Sequence, residues 1–334
     1  MSAANVLDQI TGLRALVVGD LMLDEYIAGR ATRISPEAPV MVVRREEAFF
    51  RPGGAANVAL NLRAIGAEVS LLGVIGNDAQ GERLQRSLLE SQVDAQLVTD
   101  TSRVTTSKTR VLADHGHQVL RIDHEDESPI SEGIERKLIE RFDAILPQVE
   151  VIVLSDYIKG LLTPSFVRHV IEHAGEVPVV TNPKPRSSSR YRGARLLSLN
   201  RVEASELCGV DSLRDSEAEQ LGKTLLEKLS VPYVLLTLGE SGMVALSADA
   251  SHVIPAPRVE VYDTAGAGDT VIAAVAAGLA RLGFQRPIFE LAAELGARVV
   301  RHVGVATPTE QDLLEILAAG AAEAAGSRIG PVIP

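Results

Sequence analysis

Residues 262–271, YDTAGAGDTV, put Gly266, Ala267 and Gly268 directly in front of Asp269, and the apolar run TVIAAVAAGLARL follows. The two glycines let backbone N–H groups turn toward one point, and the run behind them reads as a helix whose positive end faces the same point. That arrangement holds an anion, most often a phosphate. A carboxylate at its rim would repel a resting phosphate, which suits Asp269 to a different task. It can take the proton from a hydroxyl attacking a phosphorus held over the turn. The same residues also read as an acid capping a helix after a glycine turn, and on this stretch alone both readings stand.

A second glycine element, PGGAANVALNLRAIGAEVSLLGVIG at 52–76, sets Gly53 and Gly54 before a helix that carries Asn57. Glycines there allow close approach of a polyhydroxylated ligand, and the Asn57 amide can both donate to and accept from hydroxyls. A tight turn with a helix cap accounts for the same residues in isolation. Asp20 and Asp24 fall just past a first strand, where open α/β sheets bind ligands, and acids there suit hydroxyl recognition. Competing phosphate motifs fail: no G-x-x-x-x-G-K-[ST] occurs, and LVVGDLMLDEY stands where a G-x-G-x-x-G would follow the first strand.

These residues need a scaffold. Short runs rich in Val, Ile and Leu at 14–20, 68–76, 150–156, 177–182, 194–200 and 232–239 read as buried strands. Helical periods fall between and after them, near 54–65, 79–91, 131–145, 164–174, 202–208, 214–229, 267–282, 287–302 and 309–323. The alternation predicts an α/β fold, a doubly wound, mostly parallel sheet flanked by helices. Segments near 25–50 and 103–123 interrupt it, the second as a hairpin turning near Asp114 to His117, and together they predict a small β-sheet lid. The Ala/Gly-biased tail at 318–334 reads as a frayed helix end.

Composition bounds the function. With 334 residues, 46% hydrophobic and 23% charged, the chain can bury a large core, as one unit with an inserted element or as two domains. A net charge of -11 without a basic run excludes the footprint of a nucleic-acid binder. Cys208 is the only cysteine, so an intrachain disulfide and a cysteine-rich zinc site are excluded. His169 and His173 share a helix face but lack the glutamate of H-E-x-x-H, and His115 and His117 fall in the hairpin turn, so a surface or lid role is expected for them. MSAANVLDQITGLR lacks the pattern of a signal peptide and no long apolar span follows, so a soluble cytoplasmic protein without a membrane partner is expected.

Taken together, the two glycine elements resemble the paired signatures of the ribokinase-like (PfkB) carbohydrate kinases. The matching residues are Gly53-Gly54-Ala55-Ala56-Asn57-Val58-Ala59, with Gly66 and Gly76, and Asp263-Thr264-Ala265-Gly266-Ala267-Gly268-Asp269. The resemblance runs from about residue 12 to 315 and implies a single ribokinase-like kinase domain over 1–334. It implies Asp269 as the base, with the amides of Ala265 to Gly268 stabilising charge on the transferred phosphoryl group. Asp20, Gly53, Gly54 and Asn57 would hold sugar hydroxyls. Asn200 and Glu203 match an N-x-x-E that orders Mg²⁺ through water around the ATP phosphates, and Thr237, Gly239 and Gly242 match a loop lining the ATP site. Asp263 and nearby carbonyls match a monovalent-cation site of several relatives, and lids of this kind pair subunits, implying a homodimer.

Within the family, residues 19–43, 108–126 and 154–160 look most like kinases of D-glycero-β-D-manno-heptose 7-phosphate, with ISPEAPV the most telling piece. The chain departs from them at TNPKPRSSS, where Asn182 and Pro185 replace an Asp and a Gly around the lysine. A substrate that already carries a phosphate needs fixed positive charge away from the transfer point. Lys108, Arg110, Arg121, Lys159 and Lys184 are the candidates, with Arg121 and Lys159 assigned to the substrate and Lys184 to the nucleotide. No adenylyltransferase motif follows, so a stand-alone kinase is expected. Other kinases of the family acting on a pentose, hexose, sugar phosphate or nucleoside, and a non-catalytic sugar- or nucleotide-binding regulator, are the alternatives.

Overall fold

Helix α1 (Ala3–Ile10) leads into β1 (Arg14–Gly19), whose apolar residues are buried on both faces as a central parallel strand requires. A single residue, Asp20, separates β1 from β2 (Leu21–Ile34), which pairs antiparallel with β3 (Met41–Gly54). There follow α2 (Ala55–Ala64), β4 (Glu68–Ile75), α3 (Ala79–Glu90), β5 (Asp94–Thr99), β6 (Thr106–Ala113) and β7 (His117–His124). The second half runs α4 (Glu132–Ile145), β8 (Val151–Ser155), α5 (Pro164–His173), β9 (Val179–Thr181), β10 (Leu196–Asn200), α6 (Arg201–Cys208), α7 (Ala218–Leu229) and β11 (Tyr233–Thr237). It ends with β12 (Met243–Leu246), β13 (Ser251–Ile254), α8 (Ala267–Leu282), α9 (Arg286–Val299) and α10 (Glu310–Gly326). The structure is a computed structural model that describes residues 2–114 and 116–326.

The large sheet has nine strands in the order β13-β12-β11-β10-β9-β8-β1-β4-β5, parallel from β11 to β5 and antiparallel at the β12–β13 edge. Alternate residues of each strand serve opposite layers. Val17, Leu71 and Val153 face the layer of α1, α2, α8 and α9, while Leu16, Leu72 and Leu154 face α4, α5, α6 and α7. Two cores on the two faces of one mostly parallel sheet are the doubly wound arrangement expected from the alternation. Every expected strand and helix forms, with ends shifted by a few residues.

The small sheet has the order β3-β2-β6-β7 and is wider at its base than the expected segments. Strand β2 starts at Leu21 and β3 runs through Gly53 and Gly54, so Asp24 lies in a strand rather than a loop. The tip between β2 and β3 is the ISPEAPV segment, and the β6–β7 turn has Asp114 at φ +35° and Gly116 at φ +89°. His115 and residues 327–334 of the tail lie outside the described residues.

Four elements escape the sequence pattern: α1, β5, β12 and β13. Strand β5 is an edge strand with Asp94 and Gln96 among its apolar residues, and β12 and β13 are four residues each, too short to show a period. Among the described residues, no helix is long and apolar enough to cross a membrane.

Candidate active site

Asp269 sits in the first turn of α8 with only 4% of its surface exposed. The turn before it passes through Gly266 at φ +83°, the left-handed region that glycine enters without strain. A Cβ at Gly266 would lie 2.8 Å from Nδ2 of Asn57, so the residue must also be small. Helix α2 lies against α8, and Asn57 Nδ2 donates to Oδ2 of Asp269 at 2.8 Å. The amide is itself fixed: Asn61 Nδ2 donates to the Asn57 carbonyl at 2.8 Å and to Asn57 Oδ1 at 3.2 Å, and Thr270 Oγ1 donates to Asn61 Oδ1 at 2.7 Å.

The other oxygen of Asp269 is held by a residue that sequence reasoning did not assign. Tyr157 Oη donates to Oδ1 at 2.7 Å. Burial pushes the Asp269 carboxyl up from 3.8 to about 6, against the lowering effect of the bonds from Asn57 and Tyr157. A carboxyl near that value is mostly ionised at neutral pH and can still accept a proton, as a general base must.

Asp20 is 2% exposed and is also pushed up to about 6 by burial, opposed first by the Lys159 amide. Its oxygens accept from the backbone N–H groups of Tyr157 at 2.9 Å, Lys159 at 3.0 Å and Leu161 at 3.3 Å. The carboxylate expected to hold sugar hydroxyls therefore already anchors the loop after β8. The glycines of the other motif have a similar internal reason. A side chain at Gly53 would collide with the Asp24 carboxylate, and a Cβ at Gly54, whose φ is +60°, would lie 2.5 Å from the Asp20 carbonyl. Asp24 is ion-paired with Arg110 across β2 and β6, and burial raises its carboxyl while Arg110 opposes the shift.

The basic candidates all have acid partners. Lys108 faces Asp123 at 3.4 Å and Glu125 at 3.6 Å, and Lys159 Nζ lies 2.9 Å from Glu125 and 2.8 Å from Glu127. Arg121 stands on β7, exposed along its length, and pairs with Asp123 at 2.9 Å rather than with the Asp269 cluster. Lys184 Nζ reaches Glu203 at 2.7 Å and lies 5.2 Å from the centre of the Tyr157 ring. Tyr157 thus stands between Asp269 and the Lys184–Glu203 pair.

On that second side, Asn200 ends β10 beside Thr237 of β11, at the carboxyl edge of the sheet where such folds bind ligands. Asn200 and Glu203 form a reciprocal cap on α6: Asn200 Oδ1 accepts from the Glu203 amide and Glu203 Oε2 from the Asn200 amide, each at 2.9 Å. Gly239 and Gly242 turn the chain after β11 at φ +65° and +96°, and a side chain at Gly242 would collide with the Ile254 carbonyl. The oxygen donors Glu203 and Asn200 suit a hard cation that keeps its waters, as Mg²⁺ does. Asn182 Oδ1, buried at the end of β9, has no hydrogen-bond partner among the described residues.

The loop before α8 corrects one expectation. The Ala265 amide donates to Oδ1 of Asp263 at 2.9 Å, so it is not available to a phosphoryl group. Oδ2 of Asp263 accepts from the Gly304 amide at 2.9 Å, which ties the loop to residues after α9. Gly268, by contrast, faces open space. His169 Nε2 bonds Asp143 at 2.8 Å and its ring stacks on His173, away from these residues in the chain.

Of the residues missed, Asn61 carried a signal, since it follows Asn57 by four on a helix and shares its face. Tyr157 carried only its place at the end of a strand.

Comparison with known proteins agrees with this architecture. The family described as pfkB family carbohydrate kinase matches residues 14–312. The bifunctional protein HldE of Helicobacter hepaticus is 40% identical over 307 residues, which are 91% of this chain and 64% of that protein. The protein of the same name from Citrifermentans bemidjiense is 45% identical over 278 residues, 82% of this chain and 57% of that protein. The chain thus spans 57–64% of the length of these relatives. Phosphofructokinase-2 from Escherichia coli, solved in complex with potassium, superposes with a TM-score of 0.77 at 19% identity, covering 93% of this chain and 99% of that one. A ribokinase-like crystal structure from Agrobacterium tumefaciens, described as a ribokinase by inference, gives 0.73 at 19% identity over 93% and 99%. At such identity the likeness concerns the fold.

Proposed function

The chain belongs to the PfkB family of carbohydrate kinases, and from that premise we propose that it transfers the γ-phosphoryl group of ATP to the 1-hydroxyl of D-glycero-β-D-manno-heptose 7-phosphate, giving the 1,7-bisphosphate. The observation that carries the reading is Asp269, a buried carboxylate at the start of a helix, behind a glycine turn, with both oxygens held. Asp269 takes the hydroxyl proton as the sugar oxygen bonds to phosphorus. The bond from phosphorus to the bridging oxygen breaks, and ADP leaves with that electron pair. The start of α8, with Gly266, Ala267 and Gly268, supplies positive potential for the charge on the phosphoryl oxygens.

Glu203 and Asn200 would hold Mg²⁺ through water, with Lys184, Thr237, Gly239 and Gly242 around the nucleotide. Bound Mg²⁺ would neutralise charge on the ATP phosphates. Asn57, with Gly53 and Gly54, shapes the sugar side, and Asp20 acts there by holding the loop that carries Tyr157. Lys159, Lys108, Arg110 and Arg121 are the cations for the distal phosphate, and binding exchanges their present acid partners for it. Asp263 with nearby carbonyls is the proposed monovalent-cation site.

The heptose phosphate is supported by the resemblance of residues 19–43, 108–126 and 154–160 to heptose 7-phosphate kinases, and by 40–45% identity to proteins named HldE. That product is a precursor for the sugar nucleotides of lipopolysaccharide core synthesis. We take residues 1–334 as one kinase domain with the small sheet as its lid, acting in the cytoplasm where ATP is at hand. Ile34, Val40, Met41, Leu120 and Ile122 are exposed apolar residues of that sheet and support a homodimer formed through it. Phe49 of β3 stacks instead on Tyr26, at 4.9 Å.

The test is ATP consumption with Mg²⁺ over a panel holding the heptose 7-phosphate, ribose, fructose 6-phosphate and adenosine. Selective turnover of the heptose phosphate supports the whole reading. Preference for another sugar keeps the kinase and replaces its substrate, and ATP binding without turnover favours the regulator.

A further inference from the structure

The loop that follows β8 is held more firmly than a connection requires. Ile158, a β-branched residue, sits at φ +57°, a conformation that costs free energy and persists only where the surroundings impose it. Here two buried carboxylates impose it. Asp20 accepts the amides of Tyr157, Lys159 and Leu161, and Asp156, 1% exposed, accepts the Ile158 amide at 2.8 Å on one oxygen. The second oxygen of Asp156 accepts from Ser187 Oγ at 2.6 Å and Tyr191 Oη at 2.7 Å, which locks the loop to the segment after β9. Gly160, at φ +87°, lies so close to the Ser128 carbonyl that a side chain would collide with it. Burying two carboxylates is costly, and these hydrogen bonds to the loop and its neighbours offset the cost.

The side chain that this scaffold delivers to Asp269 is Tyr157. Its hydroxyl reaches Oδ1 of Asp269 and its ring lies beneath the Lys184 ammonium that pairs with Glu203. We propose that Tyr157 is a positioning residue for phosphoryl transfer: its hydroxyl fixes the Asp269 carboxylate toward the incoming sugar hydroxyl, and its ring ties that carboxylate to the Lys184–Glu203 pair on the nucleotide side. The proposal rests on the kinase reading and deepens it.

The groups facing Asp269 set what removing the hydroxyl does. Asn57 donates from α2, Asp24 of β2 disfavours the ionised form, and Lys184 from the segment after β9 favours it. Tyr157 itself faces Asp269, Asp24 and Glu203, and burial with these acids keeps its phenol protonated, a donor at all working pH values. A donor to the ionised carboxylate favours that form, so Tyr157→Phe moves the Asp269 titration to higher pH.

The experiment compares Tyr157→Phe with the unmodified protein in two readouts: the pH profile of kcat with the accepted sugar, and the ¹³C titration of the Asp269 carboxyl, assigned by its loss in Asp269→Asn. The expected result is a roughly 10- to 100-fold loss of kcat, an acid limb displaced to higher pH, and an Asp269 titration displaced the same way. Unchanged kcat and pH profile overturn the proposal, as does a fall in kcat with an unmoved limb and titration, the mark of a merely structural residue. If the unmodified protein turns over no sugar, the kinase reading fails by itself. The carboxyl titration then still decides the clamp, an unmoved Asp269 signal in Tyr157→Phe overturning it.

Discussion

Asn57 and Asp269 stand 212 residues apart in the chain, yet the amide of one donates to the carboxylate of the other at 2.8 Å. The bond joins the two glycine-rich segments whose chemistry could be read separately from the sequence. It forms because α2 and α8 share one face of the sheet, and because Gly266 has no side chain to push Asn57 away.

Gly266→Ala tests that closeness. The left-handed backbone at φ +83° disfavours alanine by about 1–2 kcal/mol, and the new methyl group displaces the Asn57 amide. Urea unfolding should show a loss of that order, and kcat should fall by roughly tenfold or more. A variant with lowered stability but the original kcat would mean that the Asn57 contact does not position the base.

The raised Asp269 carboxyl gives activity and stability opposite pH trends. Activity needs the ionised base and should fall as pH drops through about 6. Stability behaves otherwise, because between 3.8 and about 6 the unfolded chain is ionised at this residue while the folded one is protonated. The contribution of Asp269 is therefore fully present below the lower value and is lost as pH rises through the upper one, by up to about 1.4 kcal/mol per unit. Denaturant unfolding should show the unmodified protein gaining on Asp269→Asn as pH falls across that window. A constant difference would contradict the raised value.

Glu203→Gln separates the cap from the charge. Glutamine at the third helical position preserves the capping geometry, and the lost pairing with half-exposed Lys184 is worth under about 1 kcal/mol. Thermal stability should change little, while the Mg²⁺ concentration for half-maximal rate rises roughly tenfold. An unaltered Mg²⁺ titration would leave Glu203 a helix cap alone.

The layered fold was legible because buried parallel strands leave unbroken apolar runs, as in β1, β8 and β11, and because helical periods separate them. Glycine spacing exposed the Gly266 turn and Asp269 for the same local reason. Tyr157 was not legible, since its role depends on a left-handed Ile158 and on carboxylates at Asp20 and Asp156 that meet the loop only in three dimensions. The place of Asp20 past β1 was legible, while its bonds to the Tyr157, Lys159 and Leu161 amides were not, because an acid beyond a strand can face a ligand or a neighbouring loop with equal ease. Ala265 is a different case: its amide bonds Asp263 only two residues earlier, a local turn that an Asp at this spacing permits.

The most direct measurement is the turnover of Asp269→Asn beside its affinity for ATP, determined by calorimetry with the sugar that the unmodified protein accepts. Unchanged ATP affinity and a kcat lower by roughly 10² or more are expected, since the variant keeps a side chain of the same shape and loses the group that takes the proton. Turnover near that of the unmodified protein would contradict Asp269 as the base.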